Sequence, residues 1–374
     1  MVASTRPCAR ARKVLWRKIM KTTFKILILL LILFFLIAFS VFFAHTETSL
    51  TAIKALNGTQ ALNNLAKTHI LGGFSIDTPE EATQAAMDGV QVAFQYGQPP
   101  ATNDALGKKL QSLHMKVIDG YISSYLYYYE CHRTHTVKPP PPWYTNPCAT
   151  DAHPELNSAN ALLANIAHHL QQVKNNPLII GYWVLDDWVP WDAGSAQPLL
   201  IQIHHLIQKY TPGRPAICGF GGSIDLHQGY DWEDWVADNF SPQGCDEVGM
   251  YIYASSLPNS TPNASPGDYD WSMSQLLPAM FASLQQRGWD ITKEPLIGIG
   301  QAFGGPKAST NSYWVMPEAK DIAAQSRSFC THGATGLVFY SWDDPAYGPT
   351  TQSPMNSTSI NAGIRNGIAA CKQD

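Results

Sequence analysis

Eight strand-like segments alternate with polar, helix-periodic segments after residue 70, and this alternation restricts the fold more than any other feature. The predicted strands are Ile70–Asp77, Gly89–Tyr96, Met115–Tyr121, Leu178–Asp186, Pro215–Gly221, Glu247–Tyr253, Pro295–Phe303 and Thr335–Trp342. Strands that alternate with helices form a parallel sheet with right-handed crossovers. Eight repeats, over somewhat more than the usual ~250 residues, predict an α/β protein with a (β/α)8 TIM barrel. The alternative is an open doubly wound sheet, but the G-x-G-x-x-G signature of its nucleotide-binding form is missing from the sequence.

The first 44 residues have the composition of a targeting segment. Residues 1–25 carry eight basic side chains and no acidic one, and residues 26–44 are apolar except for Ser40. The apolar run is close to the ~20 residues that span a bilayer, so it predicts a transmembrane signal anchor with a basic cytoplasmic tail. The alternative is a cleaved signal peptide that starts at Met20. In either case residues 45–374 are expected to be an extracellular or cell-surface domain.

The charge of the predicted exported part excludes one class of function. It holds 25 − 8 = 17 basic and 29 acidic residues, a formal charge of −12. A nucleic-acid-binding domain needs a basic stripe, so no nucleic-acid partner is expected.

The six cysteines of the exported part predict disulfides, because an even number in an oxidising compartment is typical of them. Pairing of neighbours is the simplest of the 15 possible connectivities. It gives Cys131–Cys148, Cys218–Cys245 and Cys330–Cys371. Free buried thiols are the alternative. There is no CxxC or clustered His/Cys spacing, so no metal or other cofactor is expected.

Two insertions interrupt the alternation, both on the carboxyl side of a predicted strand. One covers about 123–157 and combines Tyr125, Tyr127, Tyr128 and Tyr129 with the proline run Pro139–Pro142. The other covers about 255–270 and is rich in Ser, Pro, Asn and Gly. Both are predicted to be loops at the end of the barrel where such folds carry their function.

The side chains predicted at the carboxyl ends of the strands combine carboxylates, amides and aromatic rings. Aromatic faces pack on the C–H faces of sugars, while carboxylates and amides bond to sugar hydroxyls, so a carbohydrate substrate is predicted. The predicted substrate-binding residues are Gln95, Asp119, Tyr121, Trp183, Trp188, Tyr251, Tyr253, Gln301 and Trp342.

The predicted catalytic residues are Asp186, Asp187, Asp343 and Asp344. Glycoside hydrolysis needs one protonated carboxyl and one ionised carboxylate. Successive side chains of a strand point to opposite sides, so Asp186 and Asp187 cannot be that pair. We predict Asp187 as the general acid, with a pKa raised by apolar neighbours such as Trp188. Asp186 would orient it or a sugar hydroxyl.

The second carboxylate would then be Asp343 or Asp344, with Asp119 as the third choice. An aspartate at a strand end also commonly caps the next helix. We predict that cap role for Asp77, and surface positions for helical histidines such as His168 and His169.

Three segments resemble barrel glycoside hydrolases of the clan that includes beta-galactosidases and cellulases. Residues 176–187 (NPLIIGYWVLDD) are similar to their fourth strand, with its pattern of roughly P-x-x-x-G-W/Y-Y-x-x-D-E-P. Residues 295–304 (PLIGIGQAFG) and 333–342 (GATGLVFYSW) are similar to their seventh and eighth strands. The resemblance implies that Asp187 is the acid/base and that Trp342 forms the floor of the sugar site.

The sequence departs from that family at two places that bear on mechanism. Asp187 is shorter than the family's Glu and is followed by Trp188 instead of Pro, and Gln301 stands where retaining members place a nucleophilic Glu. These differences argue against a retaining mechanism and are compatible with an inverting one that uses Asp343 or Asp344 as base. They leave open a barrel that binds glycans without cleaving them, and a structural or partner-binding ectodomain.

Overall fold

The computed structural model describes residues 70–135, 153–186, 196–221, 239–253, 273, 276–306, 313–344, 347–348 and 350–372, with the side chains of residues 131–135 and 313 excluded. All of them belong to one compact unit, Thr59–Asp374. The predicted targeting segment lies outside these residues. Across the described residues, no helix is both long and apolar enough to span a bilayer.

Eight parallel strands form a closed barrel in which each strand pairs with its neighbours in sequence and the last pairs with the first. The strands are β1 Ile70–Phe74, β2 Val92–Tyr96, β3 Lys116–Gly120, β4 Ile179–Leu185, β5 Ala216–Gly221, β6 Glu247–Ile252, β7 Leu296–Gln301 and β8 Gly336–Tyr340. Each lies within the segment predicted for it. The predicted (β/α)8 barrel is confirmed.

The helices of the described part are α1 Pro79–Met87, α2 Ala105–Ser112, α3 Tyr121–His135, α4 Ala159–Val173, α5 Gln197–Tyr210, α6 Leu277–Gln286, α7 Ala319–Thr331 and α8 Thr358–Lys372. A short antiparallel pair, Gly305–Pro306 with Tyr313–Trp314, follows β7. The prediction of a loop from residue 123 is wrong at its start, because α3 begins directly at the end of β3. The proline run and residues 255–270 lie outside the described part.

The inside of the barrel changes from aliphatic to aromatic towards the carboxyl ends of the strands. Aliphatic side chains such as Ile70, Val92 and Ile297 lie near the amino ends. Aromatic rings lie above them, on Phe74, Phe94, Tyr96, Trp183, Tyr251 and Tyr340. Barrel interiors are filled by layers of side chains, so here the rings themselves close the lumen below the mouth.

The indole of Trp183 on β4 occupies the lumen and is 1% exposed. It stands edge-on to Phe74, Phe94 and Tyr251, with ring centroids 5.4, 5.6 and 6.0 Å away. The opposite wall leaves room for the indole because it carries glycine there. A methyl group added to Gly219 on β5 would collide with the indole. On β6, the same addition at Gly249 would come within 2.6 Å of the ring.

Two of the three predicted disulfides are confirmed. Cys218, on β5, is bonded to Cys245, which directly precedes β6. Cys330, near the end of α7, is bonded to Cys371 of α8, so this disulfide joins the two helices. Cys148 lies outside the described residues, and so does the side chain of Cys131.

The fit between Trp183 and Gly219 gives a test of the packing. Gly219→Ala is expected to cost about 1–3 kcal/mol of unfolding free energy, as is usual for overpacking a core. In a Trp183→Phe background the same change should cost much less, because the smaller ring leaves room for the methyl group. Urea unfolding of the two single variants and the double variant measures this coupling. Strictly additive costs would contradict it.

Candidate functional site at the barrel mouth

Asp186 follows β4 directly and turns its carboxylate into the mouth of the barrel. Its Oδ1 accepts a hydrogen bond from Trp183 Nε1 at 3.0 Å and another from the Tyr251 hydroxyl at 2.5 Å. Tyr251 belongs to β6, so the carboxylate is held from the floor of the lumen and from the far wall at once. Asp186 is only half-buried. It therefore combines a fixed orientation with access from the mouth.

A second carboxylate is held in a similar way beyond β8. The hydroxyl of Tyr340, the last residue of that strand, donates to Asp344 Oδ2. Asp344 is half-buried, and its neighbour Asp343 is exposed. The two are linked, since Asp344 N donates to Asp343 Oδ1 at 2.9 Å. The mouth thus has one carboxylate from the β4 side and two from the β8 side.

The negative charges of carboxylates on both sides of the mouth act on the hydroxyl of Tyr340. Burial is the main cause that raises its pKa well above the usual value, followed by the negative charge of Asp344 and then, more weakly, that of Asp186. Burial likewise raises the pKa values of Tyr96 and Tyr251, and the charge of Asp186 adds to both. These hydroxyls remain protonated at physiological pH, so they serve as hydrogen-bond donors and not as bases.

Asp77 lies on the same rim, after β1. The prediction that it caps α1 is wrong by one residue: the cap is Thr78, whose Oγ1 accepts from Glu81 N at 3.2 Å, while the Glu81 carboxylate accepts from the Thr78 amide at 2.8 Å. Asp77 is an exposed residue, yet the pKa of its carboxyl is raised to about 6. Desolvation by the rim is the main cause, and the negative charges of Glu81 and Asp343 add to it.

A cavity of about 220 Å³ opens beside the mouth, between the ends of β2 and β4 and the first turns of α3. Asp186 and Tyr96 line it from the strand ends, and Tyr127 and Tyr128 of α3 contribute aromatic walls. It exists because α3 starts at once after β3 and so keeps its tyrosines close to the lumen.

Three predicted substrate-binding residues lie outside the barrel wall and do not reach the mouth: Gln95, Asp119 and Tyr121. Gln95 Nε2 donates to Ile76 O at 2.8 Å. Asp119 is fully buried and lies 2.8 Å from His169 Nε2, so the prediction that His169 is on the surface is also wrong. The Tyr121 ring is stacked on His169, with centroids 3.8 Å apart.

Two more predicted residues are buried in structural positions. Trp342 lies outside the barrel wall, where a methyl group on Gly73 would collide with its indole, so it does not floor the lumen. Strand β8 ends at Tyr340, and its alternation of sides therefore does not extend to Trp342. Gln301 is fully buried, and its Nε2 donates to two backbone oxygens, Phe303 O at 2.9 Å and Val315 O at 2.8 Å.

The structure does bring other predicted residues together. Trp183, Asp186, Tyr251 and Asp344 lie at or below the mouth, as does Tyr253, whose ring centroid is 5.6 Å from that of Tyr340. Asp187 and Trp188 lie outside the described residues. Tyr340 is a residue of the mouth that the predictions did not include in the site. No group of three or more His, Cys, Asp or Glu side chains suited to a metal ion occurs within the described ranges.

Solved structures similar to this one include three proteins named for action on glycosidic bonds. They are a beta-galactosidase from Marinomonas ef1 (10% identity, TM-score 0.49, covering 80% of this chain and 59% of that chain), an endo-1,4-beta-D-mannanase from Thermotoga petrophila (12%, 0.48, 80% and 98%) and a beta-glucuronidase from Lactobacillus rhamnosus (12%, 0.43, 75% and 44%). The chain thus spans about half the length of the first and third. The closed parallel barrel that the resemblance implies is shown by the strand pairing itself.

No protein-family model matches the sequence, and no curated protein matches it. With identities of 10–12% and TM-scores below 0.5, the structural likenesses assign no activity or substrate to this chain. Its chemistry has to be argued from its own side chains.

The buried pair of Asp119 and His169 predicts a structural role that can be measured. Asp119→Ala removes the acceptor for His169 and for the Tyr121 amide, and should cost about 2–4 kcal/mol of unfolding free energy. The matched control is Asp246→Ala, whose partner His204 is more exposed, with an expected cost of about 1 kcal/mol. Chemical denaturation measures both. Equal costs for the two variants would argue against a buried structural pair.

The raised pKa of Asp77 predicts the sign of a pH effect. Between about pH 4 and pH 6 the folded chain binds more protons at this carboxyl than the unfolded chain does, so its ionisation lowers stability as pH rises. Asp77→Asn should therefore raise the melting temperature relative to wild type at pH 7 and leave it unchanged near pH 4.

Asp290→Asn is the control, and the change in melting temperature expected for it has the opposite sign. The reason is that hydrogen bonds from Thr292 and the nearby Lys293 lower the pKa of Asp290 to about 2. This variant should lower the melting temperature at pH 7. A melting difference for Asp77→Asn that does not vary between pH 4 and pH 7 would contradict the raised pKa.

Proposed function

We propose that this chain is a glycoside-hydrolase-like enzyme that cleaves glycosidic bonds of a polysaccharide or glycoconjugate at the barrel mouth. The observation that carries the proposal is the placement of Asp186 and Asp344, each held by a tyrosine hydroxyl, with Tyr340 within the field of both. Carboxyl groups on opposite sides of a sugar are what acid/base hydrolysis requires.

In the proposed reaction, the carboxylates beyond β8 activate a water molecule. Asp344, oriented by Tyr340, or the exposed Asp343 accepts a proton from that water, which attacks the anomeric carbon. The bond to the leaving oxygen breaks as that oxygen receives a proton, and the proposed donor is Asp187, next to Asp186. Water attack without a covalent sugar intermediate gives inversion of configuration.

Asp186 has a separate role in this proposal. Two donors already fix the orientation of its Oδ1, so it is suited to accept a hydrogen bond from a sugar hydroxyl and hold the ring in place. Such positioning contributes to catalysis because it removes the entropy cost of orientation from the reaction step.

Glycan binding without cleavage is the second candidate function, and Gln301 favours it. This residue ends β7 with an amide instead of a carboxylate, and it is fully buried with its Nε2 bonded to backbone oxygens. A carboxylate nucleophile is therefore missing at that strand end, and a retaining mechanism is not proposed.

The test is release of reducing sugar by the full-length chain from a panel of neutral, amino and acidic polysaccharides. Asp186→Asn and Asp344→Asn keep side-chain size and should each reduce the rate by about 10²–10⁴-fold. Asp290→Asn, at the opposite end of the barrel near the start of β7, serves as the matched control and should keep the wild-type rate. Binding of a glycan without any release of sugar would favour the second function. Rates unaffected by Asp186→Asn and by Asp344→Asn would remove both carboxylates from the mechanism.

We also propose that the domain is exported and held at the membrane, or secreted if the N-terminal segment is cleaved. The two disulfides support an oxidising compartment. Protease digestion of intact cells tests this: the barrel should be accessible from outside, and protection until lysis would argue against export.

A further inference from the structure

The segments that follow β7 and β8 are joined to each other by hydrogen bonds. Gly304 and Gln352 form an antiparallel bridge in which the amide of each donates to the carbonyl of the other, at 3.0 and 2.7 Å. Pro306 O accepts from Gly348 N at 3.0 Å and from Thr351 Oγ1 at 2.5 Å. The short antiparallel pair after β7 is therefore fixed to the segment after β8.

Aromatic rings pack between these two segments. Phe303, just before the antiparallel pair, is stacked on Tyr347, with ring centroids 5.4 Å apart. Trp314 of the pair stands nearly perpendicular to Phe303, with centroids 5.0 Å apart. Phe303 also contacts Tyr340, at 5.7 Å between centroids. Since the Tyr340 hydroxyl donates to Asp344, these rings connect the antiparallel pair to a carboxylate of the proposed site.

The side chain of Gln301 joins the two ends of the antiparallel pair. Its Nε2 donates to Phe303 O at 2.9 Å, before the pair, and to Val315 O at 2.8 Å, directly after it. The backbone of Gln301 is held in turn by Gln325 of α7, whose Nε2 donates to Gln301 O at 2.8 Å and whose Oε1 accepts from Gln301 N at 3.3 Å. Both glutamines are buried. One side chain thus fixes the base of the pair to the end of β7.

The contacts of Gln301 require an amide. Its single side-chain nitrogen supplies two N–H donors, and each is used on a carbonyl oxygen. An ionised glutamate of the same size only accepts hydrogen bonds, so it would face the same two oxygens without a donor in a buried position. The end of β7 therefore carries the residue type that the loop above it needs.

We infer that Gln301 is a positioning residue for the proposed base. By joining the ends of the antiparallel pair it keeps Phe303 against Tyr340, and Tyr340 keeps the carboxylate of Asp344 directed at the mouth. Gln301 is itself fully buried, so it acts only through these neighbours. The inference rests on the proposed function and gives the end of β7 a part in it that needs no carboxylate.

Gln301→Met tests the inference, because it keeps the size of the side chain and removes both donors without adding a charge. In the full-length chain it should lower kcat for the best polysaccharide of the panel by roughly tenfold to a hundredfold, as a small displacement of a catalytic group does. KM should stay near the wild-type value, since no contact with the ground-state substrate is lost. A wild-type kcat overturns the inference.

Gln95→Met is the matched control. Gln95 is also buried near the end of a strand, β2, and its Nε2 also donates to a backbone oxygen, Ile76 O. This variant should lower the melting temperature as Gln301→Met does and keep the wild-type kcat. Equal losses of kcat in the two variants would show a general effect of stability and overturn the inference.

A double variant separates positioning from loss of stability. If Gln301 acts through Asp344, Gln301→Met should lower kcat little further in an Asp344→Asn background, while the two losses of melting temperature still add. Independent, multiplying losses of kcat overturn the inference.

Thr351→Val tests the same contacts if Gln301→Met does not fold. It is nearly isosteric and removes the hydroxyl that donates to Pro306 O. Loss of this one bond should lower kcat by roughly threefold to tenfold with KM unchanged. An unchanged kcat contradicts the inference.

A crystal structure of Gln301→Met separates the inference from the function on which it rests. It should show the antiparallel pair displaced and the hydrogen bond from Tyr340 to Asp344 lengthened or lost. If the wild type cleaves nothing on the panel, the proposed function fails and this structure decides alone: a displaced carboxylate supports the positioning role, and an unmoved one overturns it. If Asp344→Asn lowers kcat and Gln301→Met does not, the hydrolase stands and the role of Gln301 is removed.

Discussion

The hydrogen bond from the Trp183 indole to Asp186 connects the core of this barrel to its mouth. The indole fills the lumen only because β5 and β6 present Gly219 and Gly249 to it. Its N–H would be costly to bury without an acceptor, and the acceptor it finds is the carboxylate at the end of its own strand. The packing of the barrel therefore fixes the direction of Asp186. A change in the core at Trp183 is also a change at the proposed site.

Tyrosine hydroxyls also orient carboxylates around the mouth, as the Trp183 indole does. Tyr251 donates to Asp186 and Tyr340 donates to Asp344, and burial keeps both phenols protonated. Each ring contributes to the apolar filling of the lumen while its hydroxyl orients a carboxylate. The cavity beside α3 adds a space next to one of these oriented groups. A sugar ring, apolar on its faces and polar at its edge, suits such a surface better than a uniformly polar ligand does.

The sequence predicted the barrel, its eight strands and two disulfides, because strand and helix periodicity and cysteine number are local signals. It did not predict which side of each strand faces the lumen. A parallel sheet is buried on both faces, so Gln95 could not be distinguished from Tyr96, and Asp119 was placed at the mouth although it bonds to His169. Trp342 was chosen over Tyr340 because the end of β8 was set two residues too late. The tyrosine-rich segment was predicted as a loop because its prolines outweighed the helix signal before them.

A crystal structure of the full-length chain soaked with an oligosaccharide of the best substrate from the polysaccharide panel tests the central claim most directly. The account predicts a sugar ring in the barrel mouth, with a hydroxyl bonded to Asp186. It also predicts that the bond to be cleaved lies between Asp187 and the carboxylates of Asp343 and Asp344, with the acid and the base about 6.5–9.5 Å apart as inversion requires. A sugar bound away from the mouth, or acidic groups too distant to reach one glycosidic bond, would contradict it.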